Sequence, residues 1–479
     1  MSFSESFSRR RRLIRLFSPV IESLKKTLTG LKMSSSHQSS INRRSVLKAG
    51  AGLFAAPAVI PHLISAAPSA RVRHATFGAG GMAGADLSAI ASHPNVDLVA
   101  VADVDLGRAE NLKKRFPKIE VFQDYRKLLD KLGASGLDSV NVSTPDHMHA
   151  PIAASAMAHN LAVYGQKPLT HDIYESRRLA EIAAEKKLVT QMGIQIHSNR
   201  EYRTAVAWVQ DGVIGKIKYV HTWSSKKWGD PAGLPERKDS PPSNLDWQGW
   251  LGVCDDRPYI GGGYYHPGNW RRRLDFGTGT FGDMGCHIYD PVFKALDLTN
   301  PISVKYDGQS PNATNWANDA QVLYVFPGNK FTEGETVNVT WYDGDRRPPA
   351  EVLEAIKPNG LPDQGSIFFG TKGIMILPHI AMPIIVGEDK EKTKAREAVA
   401  GVNHWHQFVD AVQGKGKTSA HFGYAGPLTE AILLGGVASR FPGEELKWDA
   451  KALKFSNKHV ADKLVRKTYR KGWEAPGLS

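Results

Sequence analysis

The sequence predicts an α/β protein of two domains: an N-terminal doubly wound parallel sheet, then an α+β domain built on an open, mostly antiparallel sheet. Three observations carry this. A glycine-rich turn, Gly78-Ala79-Gly80-Gly81-Met82-Ala83, follows a short apolar run at 72–77. From there to about residue 200, strand-like and helix-like segments alternate, the pattern of a parallel sheet. Beyond residue 200 the alternation gives way to period-two runs with fewer helices, the signature of strands with one buried face.

In the first domain, 71–200, strands are expected at 72–77, 96–102, 137–142, 161–164 and 189–196. Helices are expected at 83–93, 109–116, 125–132, 151–159 and 173–186. Gly78 permits the tight turn after the first strand. Gly80 has no side chain, so backbone can approach a pyrophosphate. Gly81 and Met82 lead to Ala83, a third small residue where helix packs on strand, and the helix presents free N–H groups to phosphates. The second strand ends in Asp103, placed to accept ribose hydroxyls. This is the fingerprint of a Rossmann domain. An acid at that position favours NAD over NADP, whose extra phosphate it repels.

The second domain, 201–460, is expected to contain strands at 217–224, 320–326 and 336–341, a hairpin at 365–377 around Thr371-Lys372-Gly373, and helices at 404–412 and 428–441. Val337, Val339 and Trp341 alternate with polar residues, as one buried face requires. The Pro-, Gly- and Trp-rich stretch 228–269 has no period and reads as a long loop, the kind that often carries function. Residues 461–479 read as a basic C-terminal tail.

The net charge of the 479-residue chain is +13. Residues 1–70 hold eleven Lys/Arg against two Asp/Glu, which leaves only +4 for the rest. With no basic patch interleaved with aromatics, nothing points to a nucleic-acid partner. The two cysteines, Cys254 and Cys286, are too few for a disulfide framework and are expected free.

Two strand ends are rich in chemistry: Ser143-Thr144-Pro145-Asp146-His147-Met148-His149, and Gly165-Gln166-Lys167-Pro168. At these motifs the chain resembles the Gfo/Idh/MocA oxidoreductases, over about residues 72–460. The resemblance implies that Ser143, Thr144, Pro145, His147, His149 and Gln195 join the turn in holding the cofactor, and that Lys167 reaches the nicotinamide and hydrogen-bonds the reacting oxygen. The family most often has Glu-Lys-Pro where this chain has Gln166-Lys167-Pro168, so the carboxylate beside the lysine is an amide. A glycine-rich run, Gly277 to Gly285, leads into Asp283-x-x-x-His287. On a helix these two share one face. Histidine, with its near-neutral pKa, suits the base that takes a hydroxyl proton as hydride leaves carbon. Asp283 is expected to orient or polarise this site, and Trp270 and Arg271 are expected to line the substrate pocket beside Lys167. The tract Arg271 to Arg273 has a plainer reading as a solvated face.

Possible metal pairs, His147/His149, His404/His406 and Asp283/His287, fall short of the three or four convergent ligands that zinc needs, so no metal is expected. The reading is therefore an NAD(P)-dependent oxidoreductase acting on a sugar or polyol, a homo-oligomer through its C-terminal sheet. Two rivals stay open: a redox-neutral NAD-dependent glycosidase or sugar–sugar oxidoreductase of the same fold, and a non-catalytic, cofactor-bound sugar-binding protein.

Asn42-Arg43-Arg44-Ser45-Val46-Leu47-Lys48 resembles a twin-arginine signal. The apolar run 49–64, broken by Pro57 and Pro61, is too short to span a bilayer. Small residues follow at Ser65, Ala66, Ala67, Ser69 and Ala70, as at a cleavage site. Residues 1–70 thus read as leader and signal, with Met1 or Met33 as initiator. The implied route is the twin-arginine translocation machinery and the implied destination the periplasm.

Overall fold

The computed structural model describes residues 71–479; Arg43-Arg44, Met33 and the signal-like segment lie outside the described residues. Six strands form a parallel sheet: β1 (Val72–Phe77), β2 (Val96–Ala102), β3 (Glu120–Phe122), β4 (Ser139–Val142), β5 (Ala162–Gly165) and β6 (Thr190–Met192), in spatial order β3-β2-β1-β4-β5-β6. The order reverses between β1 and β4, which opens a crevice at their carboxyl ends. Aspartates cap three of the helices that follow these strands. Asp105 caps Leu106–Arg115, so that helix begins three residues before its expected start, and Asp172 forms a reciprocal capping box with Glu175 for Ile173–Glu185. Such caps contribute about 1 kcal/mol each.

The second sheet has nine strands: β7 (Ile217–Ser224), β8 (Ser303–Asp307), β9 (Gln321–Pro327), β10 (Thr336–Asp343), β11 (Gly365–Gly370), β12 (Ile374–Pro378), β13 (Ile384–Ile385), β14 (Glu445–Asp449) and β15 (Lys454–Phe455). Their order is β13-β12-β11-β7-β10-β9-β8-β14-β15, and only the central β7–β10 pair is parallel. Val337, Val339 and Trp341 of β10 are buried, in one core with Tyr324, Phe326 and the helix Cys286–Ala295. The opposite face carries its own cluster, Trp223, Ile367, Phe369 and Tyr342 with Val352 and Ile356. A sheet covered on both faces in this region explains why Trp223 and Ile367 are also fully buried. Sequence reading missed β3, β8, β13, β14, β15 and the helices Arg200–Gln210, Ala350–Ala355, Lys390–Ala395 and Trp247–Leu251, the last within the stretch 228–269 read as loop; all are short or only half apolar.

Domain boundaries do not follow chain order. The helix His404–Val412, expected in the second domain, packs on the first: Phe408 and Val409 join Val72, Ile90 and Val96 in one cluster. The helix Phe422–Ala438 starts six residues before its expected start and contains Pro427; the lost hydrogen bond is offset by burial along nearly its whole length. It lies against Ile173–Glu185, where Arg177 and Glu430 pair at 2.8 Å. Residues 461–479 do not form a free tail. Val465 accepts a hydrogen bond from Tyr174, Tyr469 donates to Glu175, Arg470 bonds Gly252 and Gln248, and Ala475 and Leu478 are buried.

Candidate active site

A cavity of about 450 Å³ lies at the carboxyl ends of β1, β4 and β5 and runs to the start of the helix Cys286–Ala295. Gly78, Gly80, Gly81, Met82, Asp103, Ser143, Thr144, Pro145, His149, Lys167, Gln195, Trp270, Arg271, Asp283 and His287 all line it. Two expected cofactor residues do not. Ala83 is buried behind the turn, packed where a side chain on Gly78 would fall. His147 is buried, its Nε2 2.9 Å from the Trp250 carbonyl and its ring against Trp250 and Phe276. The 3₁₀ turn Asp146–Met148 places it in the core, where it supports Trp250, which lines the cavity.

At the turn, Gly78 has φ +97°, and a Cβ there would stand 2.7 Å from the Ser143 carbonyl oxygen. Glycine is therefore required twice over. Gly81 has φ +59° and open space where a Cβ would be, and it precedes Met82–Ala91 with no side-chain cap. The first N–H groups of that helix are thus left for an anion, which fits a dinucleotide pyrophosphate. A Cβ on Gly80 would fall on the Arg108 guanidinium. Arg108 was not foreseen; it bonds Asp105, and it brings a cation to the phosphate end. Asp103 accepts from Ala79 N and Asp105 N, both at 2.9 Å. Its remaining lone pairs fit ribose hydroxyls. Burial pushes its carboxyl up to about 6.

At the other end, Lys167 Nζ lies 2.7 Å from Asp283 Oδ1 and 3.1 Å from the Asp283 carbonyl. Arg271 Nε reaches the same oxygen at 3.2 Å. Burial opposes ionisation of Asp283, but Lys167 and then Arg271 hold its carboxyl well below the usual range. Asp283 sits in a wide π turn, Phe281–Gly285, that runs into the helix bearing His287; the two residues still line one cavity, though not by the α-helical spacing expected. Such π turns recur at functional sites. Burial, then the Lys167 and His379 charges, hold His287 well below the ordinary histidine value. The shift favours the neutral imidazole, the form that can accept a proton. Its Nδ1 is buried without a hydrogen-bond partner, and its ring is 6.0 Å from that of His379, which accepts from or donates to Tyr202 Oη at 2.8 Å.

Gln166 belongs to a second group. Its amide donates to Asp86 Oδ2 at 2.8 Å, Ser143 Oγ donates to the same oxygen at 2.9 Å, and Trp405 Nε1 donates to Oδ1 at 2.9 Å. Asp86 is fully buried, and burial raises its carboxyl to about 6. A glutamate at 166 would set two carboxyl groups side by side; the amide avoids this. The tract Arg271 to Arg273 is not a solvated face. Arg271 lies 4.3 Å over Trp270, and Arg273 is buried and pairs with Asp230 at 2.7 Å. Trp228, at the head of the long loop, and Trp473, from the C-terminal segment and 4.2 Å from Arg126, also line the cavity. Trp473 had no local signal in the sequence.

Both cysteines are free and buried. Among the described residues, no group of three or more His, Cys, Asp or Glu converges as metal ligands do, and no helix is long and apolar enough to cross a membrane.

Known proteins bear on both halves. A family model described as "Oxidoreductase family, NAD-binding Rossmann fold" matches residues 72–194, and its companion, "Oxidoreductase family, C-terminal alpha/beta domain", matches 207–336. Inositol 2-dehydrogenase 4 of Saccharopolyspora erythraea is 31% identical over 159 residues, 32% of this chain and 46% of the relative. The scyllo-inositol 2-dehydrogenase (NAD(+)) of Bacillus subtilis is 27% identical over 143 residues, 30% of this chain and 41% of the relative. The matched stretch thus spans less than half of these relatives. The fold is that of an inositol dehydrogenase homolog from Azotobacter vinelandii, solved with NADH and myo-inositol (TM-score 0.53, 16% identity, 79% of this chain and 98% of that one). It is also that of the WlbA dehydrogenase from Bordetella pertussis, solved with NADH and UDP-GlcNAcA (TM-score 0.57, 13% identity, 79% and 99%).

Proposed function

Because the chain belongs to the Gfo/Idh/MocA oxidoreductase family, with its NAD-binding Rossmann domain and its C-terminal domain both matched, we propose that it is an NAD-dependent dehydrogenase of a sugar or polyol. The observation that carries this is the convergence of Lys167, Asp283 and His287 at the end of the crevice that begins at the glycine turn. NAD, when bound, supplies the hydride acceptor. The chain's residues do the rest. The turn amides and Arg108 hold phosphate, and Asp103 holds ribose. Lys167 donates a hydrogen bond to the reacting oxygen. His287, neutral and with one face in the cavity, takes the hydroxyl proton. Two cations, Lys167 and Arg271, share the Asp283 carboxylate and stand where they would stabilise a developing alkoxide. Trp270 and Trp228 add aromatic surface to the wall beside Arg271. The test is to screen polyols and sugars against the purified chain by reduced-nicotinamide absorbance. Hydride transfer to one of them, lost in Lys167→Met, supports the reading; no transfer with any polyol or sugar removes it.

We further infer export by the twin-arginine route, which rests on Arg43-Arg44 and the run that follows. Such a protein carries its cofactor folded inside it, so slow NAD release is expected. Export that survives the double substitution Arg43→Lys with Arg44→Lys would end this inference. Self-association through the second sheet is supported by Tyr219, 37% exposed and stacked on Phe369 at 4.6 Å; a monomer by light scattering would count against it.

A further inference from the structure

A second cavity, of about 330 Å³, shares no lining residue with the first. The two abut along the chain, where Gly282 lines one and Asp283 the other. The volume is in the range of small-ligand pockets, about 300–1,000 Å³. Its wall carries Arg257, Arg440, Lys463, Arg466 and Lys467 against Asp172, Asp255, Asp275 and Asp343. Five basic side chains thus face four acidic ones, and burial opposes ionisation of Asp343 and Asp172.

Its cations differ in their commitments. Arg257 pairs with Asp275 at 2.6 Å, and Arg466 lies 4.1 Å over Tyr174 and donates to the Leu478 carbonyl. Lys467 Nζ is buried without a hydrogen-bond partner, but the charges of Glu175, Asp172 and Asp275 reach it. Arg440 is half-buried, yet among the described residues its guanidinium has no hydrogen bond and no ion pair; it lies 5.7 Å over Trp316. Asp275 is the carboxylate whose charge reaches it, and that group is held by Arg257. A partly desolvated guanidinium without a counter-charge is costly, and an anion in the cavity would remove the cost. The tryptophan beneath it is fixed. A Cβ on Gly279 would stand 2.8 Å from Trp316 Cγ, and Trp316 Nε1 donates to the Gly277 carbonyl at 2.7 Å. Lys463 is exposed at the rim and likewise unpaired among the described residues.

We propose that this cavity is a second binding site, separate from the cofactor crevice, for a small molecule bearing a phosphate or carboxylate group, held by Arg440 with Lys463 at the rim. The proposal does not depend on the dehydrogenase reading.

Titration calorimetry on the full chain saturated with NAD tests it, with inorganic phosphate, glucose 6-phosphate and glucuronate as probes and glucose as the neutral control. At least one anionic probe binds and glucose does not; the pattern among the probes separates phosphate from carboxylate as the ligand group. Arg440→Gln weakens that binding about tenfold or more, since a charged hydrogen-bond donor is lost, and Arg440→Lys retains part of it. Lys463→Gln, at an exposed position that does not threaten folding, weakens it about two- to fivefold. Lys167→Met, in the other cavity, leaves it unchanged. The proposal is overturned if no anionic probe binds more tightly than about 10 mM, if glucose binds as well as the anions, if Lys463→Gln and a folded Arg440→Gln bind as the parent does, or if the probe competes with NAD.

Discussion

Lys167 Nζ stands 2.7 Å from Asp283 Oδ1, although 116 residues separate the two in the chain. The contact ties the carboxyl end of β5, in the parallel sheet, to the π turn that opens the helix of His287. Both side chains are nearly buried, 12% and 14% exposed; Asp283 keeps Arg271 at 3.2 Å if Lys167 is removed, whereas Lys167 has no other ion pair among the described residues. Losing one partner of such a buried pair costs about 3–5 kcal/mol when the other charge is left alone.

Lys167→Met is therefore expected to lower kcat by about 10²–10⁴, the range of one proton-handling group. NADH affinity should change by less than about threefold, because the glycine turn and its helix make the phosphate contacts. Steady-state rates and fluorescence titration of NADH check the two halves separately. Equal losses in both would mean that Lys167 holds the cofactor instead.

His287→Asn is expected to reduce kcat by a similar factor, about 10²–10⁴. The pH dependence has a definite sign. The folded-state pKa of His287 is held well below its ordinary value by burial and by Lys167. The neutral form should therefore persist to lower pH than in a free histidine, so any acid limb that this group gives the parent rate should lie below about pH 6.5. A limb near about pH 6.5 that vanishes in His287→Asn would show that the histidine titrates normally.

Asp103 gives a pH effect on binding rather than on rate. Its carboxyl is raised to about 6. The charged form, which accepts ribose hydroxyls best, is present above that value and lost as pH falls through it. NAD affinity should weaken by about tenfold on going well below about pH 6, and Asp103→Asn should be weak and flat across the same range. Discrimination against NADP should relax in the variant, since the repelling charge is gone. Calorimetric titration with both nucleotides at several pH values reads all three.

Gln166→Glu should destabilise the protein by about 1–3 kcal/mol above about pH 6 by turning a donor to Asp86 into a second buried acid. Asp86→Asn in the same chain should recover most of that loss, and the two changes should be far from additive. Asp86 also sets a pH slope in the parent. Its folded pKa, raised to about 6, exceeds the unfolded value, so its contribution to stability is greatest below the unfolded pKa and is lost as pH rises through about 6. Chemical denaturation of the four proteins at about pH 5 and 8 decides. Additive effects would place Gln166 and Asp86 in separate environments.

The Gln166 case also marks where the sequence stops being legible. Beside its neighbour Lys167 it reads as a departure that weakens the lysine. The reason for it is Asp86, 80 positions earlier, which the chain's linear order gives no cause to connect. The same holds for Trp405, which donates to Asp86 from a helix expected in the other domain, and for Trp473, which comes from a segment that looks like a solvated basic tail. Periodicity identifies which face of an element is apolar; it does not identify which other element covers it.

What the sequence by itself determined was local. The glycine turn, Asp103 and the strand-end motifs lie within short stretches whose chemistry is decided by backbone sterics and by residue type, and the structure keeps nearly all of them on one cavity. The first sheet was legible for the same reason, since parallel strands and their crossover helices alternate in the chain. Only the tertiary structure decided the charge states and the exceptions. Burial lowers His287 below its ordinary range and raises Asp103 and Asp86. A 3₁₀ turn hides His147 while its neighbour His149 stays on the cavity. Arg440 is left without a side-chain hydrogen bond or ion pair among the described residues, at a second cavity whose walls come from residues 171 to 468. Each of these depends on how much water and which charges surround a group, and that is set by residues far away in the chain.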